Sequence, residues 1–316
     1  MSSPAATPPG AWKRLRKNPI AIIAAIILII VFAFAVFGLP FFKLDPHATS
    51  AAQYSPPSAE HWFGTDVNGR DSFARVLEGA RISLLVGFCG AFIALFVGTT
   101  YGLISGYAGG RTDALMMRFV EILYAIPRLI IIILVTFIFD RHFKNWLNAT
   151  TWKIVIGKEW VLFDPHDLVG YSKIIILIVS LGLIEWLTMA RIVRGQVLAL
   201  KSQQFVLAAR ALGQSHTRII LRHLLPNLLG IVIIYLTLTI PAVILDESFL
   251  SFLGLGVQAP QASWGSLLSE GAQVINPVKS YWWLLLFPAL VMSVTLLALN
   301  FLGDALRDAL DPRAKR

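Results

Sequence analysis

Six apolar runs govern what this chain can fold into; they lie near residues 20–38, 82–105, 119–139, 174–192, 228–245 and 282–302. A helix that crosses a bilayer needs roughly 20 predominantly apolar residues, because in lipid every backbone N–H and C=O must find its partner inside the segment. The runs therefore predict an all-α membrane protein of six transmembrane helices. Composition enters only as a check: 56% of the 316 residues are hydrophobic and 14% charged, and the mean hydropathy is +0.70, values foreign to a soluble domain. A net charge of +9 would point to nucleic acid in a soluble chain. Here Lys and Arg gather in the connections between apolar runs, where they orient the protein in the membrane, and no nucleic-acid partner is expected.

The first run follows Lys13, Arg14, Arg16 and Lys17 and is too long for the apolar part of a signal peptide, so it is expected to remain as a span. With that basic cluster inside, an even number of spans returns the basic tail Arg307, Arg313, Lys315 and Arg316 to the cytoplasm. The expected organisation is a cytoplasmic tail over 1–18, rich in Ser, Pro and Ala at its start, a first transmembrane helix over 19–39, and an extracytoplasmic segment over 40–81. A core over 82–303 follows, with an outer insertion at 140–173 and a cytoplasmic loop at 194–227, and a cytoplasmic tail over 304–316 closes the chain. Pro56, Pro57 and Gly64 predict turns in the extracytoplasmic segment. In the insertion, Trp146, Trp152 and Trp160 among charges suit a membrane interface.

Within the cytoplasmic loop, residues 199–227 carry Lys201, Arg210, Arg218 and Arg222 and no acidic residue. Val206, Ala209, Leu212 and Gly213 recur at helical spacing, as do Ile219, Ile220 and Leu224, which predicts two short amphipathic helices. Gly213 is placed to end the first, and Pro226 limits how far the second can run undisturbed. A helical knob of this kind is a part for pressing against another protein. Its bland alternative is a helix lying on the membrane surface.

The knob resembles the EAA loop of permease subunits of binding-protein-dependent ABC importers, in which a short coupling helix seats in a cleft of the ATPase. Ala208, Ala209, Gly213, His223 and Pro226 stand at that family's spacing, and Leu207 stands where it most often carries Glu, a departure that bears on any salt bridge the glutamate would make. Phe63-Gly64-Thr65-Asp66, Gly69-Arg70-Asp71 and Gly79-Ala80-Arg81-Ile82-Ser83-Leu84 are similar to the C-type permease of dipeptide, oligopeptide and nickel importers. So are the stretches 189–196, 250–258, 263–265 and 300–308. The resemblance implies a MetI-like permease fold in a bacterial plasma (inner) membrane, with both termini cytoplasmic. Its implied partners are a second permease subunit, two ABC ATPase subunits and an extracytoplasmic solute-binding protein, besides membrane lipid. The implied cargo is di- or oligopeptides, with nickel chelates or glutathione-like peptides as the alternative, and the extracytoplasmic segment would help seat the binding protein or shape the pore entrance.

Several residues invite readings of their own. Gly90, Ala94, Gly98, Gly102, Gly106 and Gly110 recur every fourth position along the second run, a spacing that lets two helix backbones approach closely. Pro127 should kink the third run, and Pro241 and Pro288 lie in the fifth and sixth. Arg128 and Glu185 are charges at membrane depth; either they pair across the bundle or both border the translocation route. Asp246 and Glu247 lie near the outer end of the fifth run, where they would attract a peptide amino group or a cation, or serve only in a helix-end pairing.

Catalysis is not expected. The chain has no G-x-x-x-x-G-K-[ST] motif, so energy must come from a partner, and it has no nucleophile elbow, no H-E-x-x-H and no cluster of catalytic carboxylates. Gly254 and Gly256 lack the third glycine of a dinucleotide fingerprint. Cys89 is the single cysteine, and Asp164-Pro165-His166-Asp167 reads as a turn because no second ligand cluster supports a metal. Neither cofactor nor metal is expected. A competing hypothesis, an autonomous secondary transporter using Arg128 and Glu185 as coupling charges, leaves the knob unexplained and finds no internal repeat to support it.

Overall fold

The computed structural model describes residues 14–150, 154–156, 160–163, 165–275 and 279–310. Lys13, Trp152, Asp164, Arg313, Lys315 and Arg316 lie outside the described residues, as do most of the expected terminal tails. Asn18 opens the first helix, its side chain accepting from the N–H groups of Ile20 and Ala21, with Pro19 at the first helical position where a missing N–H costs nothing. This helix, α1 (Pro19–Phe42), is followed by α2 (Ser72–Ala108), capped by Asp71 through the Ala74 N–H. Then come α3 (Gly110–Ala125) and α4 (Arg128–Ala149). A two-stranded antiparallel ribbon, β1 (Ile154–Ile156) and β2 (Trp160–Phe163), and a 3-10 turn (Pro165–Tyr171) lead into α5 (Ser172–Leu200). The chain continues with α6 (Gln204–Ala211), α7 (His216–Phe252), α8 (Trp264–Gln273) and α9 (Trp283–Leu310). Among the described residues the regular structure is helical apart from one small ribbon in the insertion, which the apolar pattern did not announce.

Five helices are individually long and apolar enough to cross a membrane, and a sixth span results if α3 and α4 are taken together. Here the structure corrects the expected third span over 119–139. It is not one kinked helix, because α3 and α4 meet at 88°. Pro127 has no N–H to continue the helix, and it drives the preceding Ile126 into an extended conformation (φ −90°, ψ 131°) that ends α3. Pro241 and Pro288, in contrast, sit inside continuous helices.

The most extensive helix contact is between α2 and α5, and it is made by the small-residue stripe. A Cβ on Gly98 would lie 2.6 Å from Met189 Cβ, one on Gly102 2.6 Å from the Ala190 carbonyl oxygen, and one on Gly106 2.8 Å from Val197 Cβ. The two backbones approach so closely that no side chain fits between them. Gly110 is not part of this contact, since it has no neighbour within 4 Å. It stands past the corner at Gly109, where α3 has already turned away.

Residues 43–71 fold as turns against α8 and α9, and the helix begins at Ser72 rather than at the Ile82 end of the apolar run. Phe63 stacks on Phe287 at 4.0 Å and Tyr54 on Tyr281 at 4.1 Å. Asp66 accepts from Arg70 Nε at 2.7 Å and from Arg75 at 2.9 Å, while Arg75 is also held by both carboxylate oxygens of Glu270 on α8. Arg75 is buried, and this pairing supplies the partners that a buried guanidinium requires.

Candidate functional site

Two assemblies of polar residues stand out, one at the helical knob over 199–227 and one at the break between α3 and α4. In the knob, Val206 and Ala209 of α6 and Ile219 and Leu224 of α7 are buried against Leu103 of α2 and Val193 and Val197 of α5. Leu212, which the helical spacing assigned to the same face, is instead 81% exposed. The reason is local: α6 ends at Ala211, and Gly213 takes a left-handed conformation (φ +73°) that swings the chain off the helix. The Gln214 N–H donates to the Ala209 carbonyl at 3.1 Å and the Gly213 N–H to that of Arg210 at 3.0 Å, the paired bonds of a Schellman cap. Leu212 is left at the tip, with Phe205, Leu207 and Leu221 also exposed.

Ser215 then caps α7 by accepting from the Arg218 N–H. Pro226 disturbs this helix, as expected, without ending it. The stretch Ile220–Leu224 widens into a π turn whose Leu225 N–H reaches back to the Ile220 carbonyl, and this shifted register takes in a residue that has no N–H. Asn227 Nδ2 donates to the His223 carbonyl at 2.6 Å, so the turn also keeps that oxygen satisfied. Of the five residues carried from the EAA resemblance, Ala209 points inward and His223 is half-buried, its Nε2 2.8 Å from Gln214 Oε1. Ala208, Gly213 and Pro226 lie at the surface.

The knob is fastened to the membrane helices by contacts that the sequence pattern did not disclose. His216 Nδ1 lies 2.8 Å from Tyr107 Oη at the end of α2, and Lys201 Nζ donates to the Gly106 carbonyl at 2.8 Å. Above them Arg194 of α5 grips Asp113 of α3 through Nε and Nη2, each at 2.6 Å, and Ser105 Oγ adds a third donor at 2.6 Å. Asp113 was visible as the lone acid in a basic connection, which is a signal for such a clasp, but nothing in the pattern named its partner.

At the second assembly, Arg128 opens α4 just after Pro127. Its Nη1 donates to Glu185 Oε1 of α5 at 3.0 Å and its Nη2 to Asp246 Oδ1 of α7 at 2.6 Å. The expected Arg128–Glu185 pairing is therefore present and gains a third member. The side chain of Arg128 is 52% exposed, against 12% for Glu185 and 8% for Asp246, so one guanidinium fronts two buried carboxylates. Asp246 Oδ2 is buried with no hydrogen-bond partner among the described residues. A cavity of about 210 Å³ opens here, lined by Tyr124, Ile126, Pro127, Arg128, Glu185 and Thr188. Glu247 belongs elsewhere: it is fully buried and takes hydrogen bonds from Ser83 at 2.8 Å, Ser248 at 3.3 Å and Ser251 at 2.7 Å. One residue along a helix turns a side chain by about 100°, which separates these neighbouring carboxylates into different environments. Among the described residues no group of three or more His, Cys, Asp or Glu is arranged to hold a metal ion.

Comparison with known proteins gives the family. Residues 90–316 match the family described as binding-protein-dependent transport system inner membrane component, and residues 10–57 match the N-terminal TM domain of oligopeptide transport permease C. The chain is 45% identical over 310 residues to the dipeptide transport system permease protein DppC of Bacillus subtilis, covering 97% of this chain and 86% of that one. It is 43% identical to the oligopeptide transport system permease protein OppC of Haemophilus influenzae, with 96% and 88% covered. For the OppC protein of Escherichia coli K12 the identity is 42%, with 96% and 90% covered.

Proposed function

The chain belongs to the family of binding-protein-dependent transport system inner membrane components, and from that premise we propose that it is the permease subunit of an ATP-driven importer of di- or oligopeptides. It works beside a second permease subunit, over two cytoplasmic ATPase subunits and beneath an extracytoplasmic solute-binding protein, with both termini cytoplasmic. The peptide reading rests on the names of the relatives, and nickel chelates or glutathione-like peptides remain the alternative cargo within the same architecture. The ligand that copurifies with the cognate binding protein decides between them.

The observation that carries the reading is an apolar tip, Leu207, Leu212 and Leu221, exposed on a knob whose base is locked to α2 and α5. An exposed apolar tip on a rigid base both docks and transmits displacement. In this mechanism ATP binding draws the ATPases together and moves the knob, and α5 and α7, which are continuous with it, pass the motion into the membrane. Only a difference in contact between inward-open and outward-open states couples the ATP cycle to passage. The Arg128, Glu185 and Asp246 cluster joins α4, α5 and α7 across the break, and it borders the route by which the peptide passes.

Leu212→Asp in the purified, reconstituted complex tests the coupling. The expected outcome is loss of substrate-stimulated ATPase activity with membrane insertion and assembly with the second permease intact. Unchanged stimulation would count against the docking role. Transport by the chain alone in liposomes without ATP would instead favour an autonomous transporter.

A further inference from the structure

α1 packs tightly on the rest of the bundle at its two ends and more loosely in between, where Leu28 and Val31 are half-buried against it. Its buried residues are Ala21 and Ala24 near the start and Ala35 and Gly38 near the end, and none lies between them. The gap is a groove between α1 and α2 that runs down toward the end of α9. Its lower part is a cavity of about 480 Å³ reaching from Ala25 to Leu299 and Leu302, and its upper part is one of about 570 Å³ ending at Arg81. Phe32, Leu84 and Phe88 line both, so the two are continuous.

The walls are apolar with a single exception. Arg81 stands on the same face of α2 as Leu84, Leu85 and Phe88, following the 3- and 4-residue spacing of a helix stripe. It is exposed, and no described residue offers it a hydrogen bond or an acidic partner. A guanidinium without a protein partner at the edge of an apolar run is placed to meet an anionic headgroup. The long apolar run of α2 begins at Ile82, so Arg81 sits at the outer boundary of that run, where phosphodiester headgroups lie. From Val36 to Ala25 the groove extends along α1 for about 16 Å, half of a hydrocarbon core of roughly 30 Å and hence the depth of one leaflet. One positive end and an apolar channel one leaflet long together match an amphiphile with an anionic head.

We propose that the groove between α1 and α2 holds one phospholipid of the outer leaflet, its phosphate on Arg81 and an acyl chain between Phe32, Leu84 and Phe88. Bound there, the lipid fills the space that the small residues of α1 leave open and fixes that helix to the bundle. The site is distinct from the knob and from the Arg128 cluster, and it requires no particular cargo.

Native mass spectrometry of the intact complex, purified from nanodiscs containing phosphatidylglycerol, tests this. Wild type is expected to retain one phospholipid per copy of this chain through detergent exchange. Arg81→Gln removes a charge-assisted contact and lowers that occupancy about tenfold; Arg81→Lys keeps most of it. Ala33→Trp, which fills the lower cavity without touching the charge, lowers it as well. A photoreactive benzophenone side chain placed at Leu85 should label phospholipid. Equal occupancy in wild type, Arg81→Gln and Ala33→Trp overturns the proposal. So does labelling of the second permease in place of lipid, because a protein then covers the groove.

Discussion

Arg128 is the point at which three helices are held together, and the geometry predicts how a charge exchange there will behave. Removing one partner of a fully buried ion pair costs about 3–5 kcal/mol, and of an exposed pair about 0–1. Arg128 is half exposed while Glu185 and Asp246 are buried, so Arg128→Gln is expected to destabilise the complex by about 2 kcal/mol. The reversal Arg128→Glu, Glu185→Arg would restore a simple two-member pair. Here it should not, because the new Glu at 128 faces Asp246, which now lies 2.6 Å from the Arg128 Nη2. Adding Asp246→Asn to the exchanged pair removes that repulsion and should recover most stability and peptide uptake. Thermal inactivation of the purified complex and uptake in proteoliposomes measure both quantities. Full recovery by the two-residue exchange with Asp246 intact would refute the three-member arrangement. If the triple variant regains stability but not uptake, the cluster acts on the moving peptide as well as on the helix packing.

Three further outcomes follow from contacts described above. Gly102→Val should lose about 1–3 kcal/mol or more by forcing α2 from Ala190 and Val193, whereas Gly195→Ala, with open space around it, should be neutral in the same thermal assay. Gly213→Asp places a side chain in left-handed backbone, a strain of about 1–2 kcal/mol, and should abolish substrate-stimulated ATPase activity while membrane insertion survives. Arg194→Gln and Asp113→Asn should each weaken the cytoplasmic clasp by about 1.5–3 kcal/mol; the double variant should cost well under the sum, and additive costs would show that the two side chains act separately.

The apolar spans and the knob were legible because each rests on short-range information. A run of about 20 apolar residues declares a span wherever it occurs, and the pattern Val206, Ala209 together with Ile219, Leu224 declares a buried stripe before any partner is known. The stripe Gly90 to Gly106 was readable as a close approach, although its partner helix was not. Local reasoning erred where two local signals competed. Leu212 fits the period of α6, yet the cap at Gly213 ends that helix first and leaves the side chain outside. Pro226 disturbs its helix as its chemistry requires, but that the disturbance takes the form of a π turn and lets the helix continue was not legible.

From the order of residues alone come the all-helical membrane class, the six apolar runs and a helix–glycine–helix unit between two of them. Burial of apolar side chains, backbone satisfaction within a helix and left-handed glycine are all decided within a few residues. Only the folded chain decided that the third run breaks by 88° rather than bending, and that Arg128 meets Asp246 as well as Glu185. It alone separated Glu247 from its neighbour, joined Arg75 to Glu270 and placed Arg81 at the end of an apolar groove. Those partners lie 57, 118 and 195 residues apart along the chain. Which charge meets which at such separations is settled by how the helices pack, and packing is a property of the whole bundle that no single segment contains.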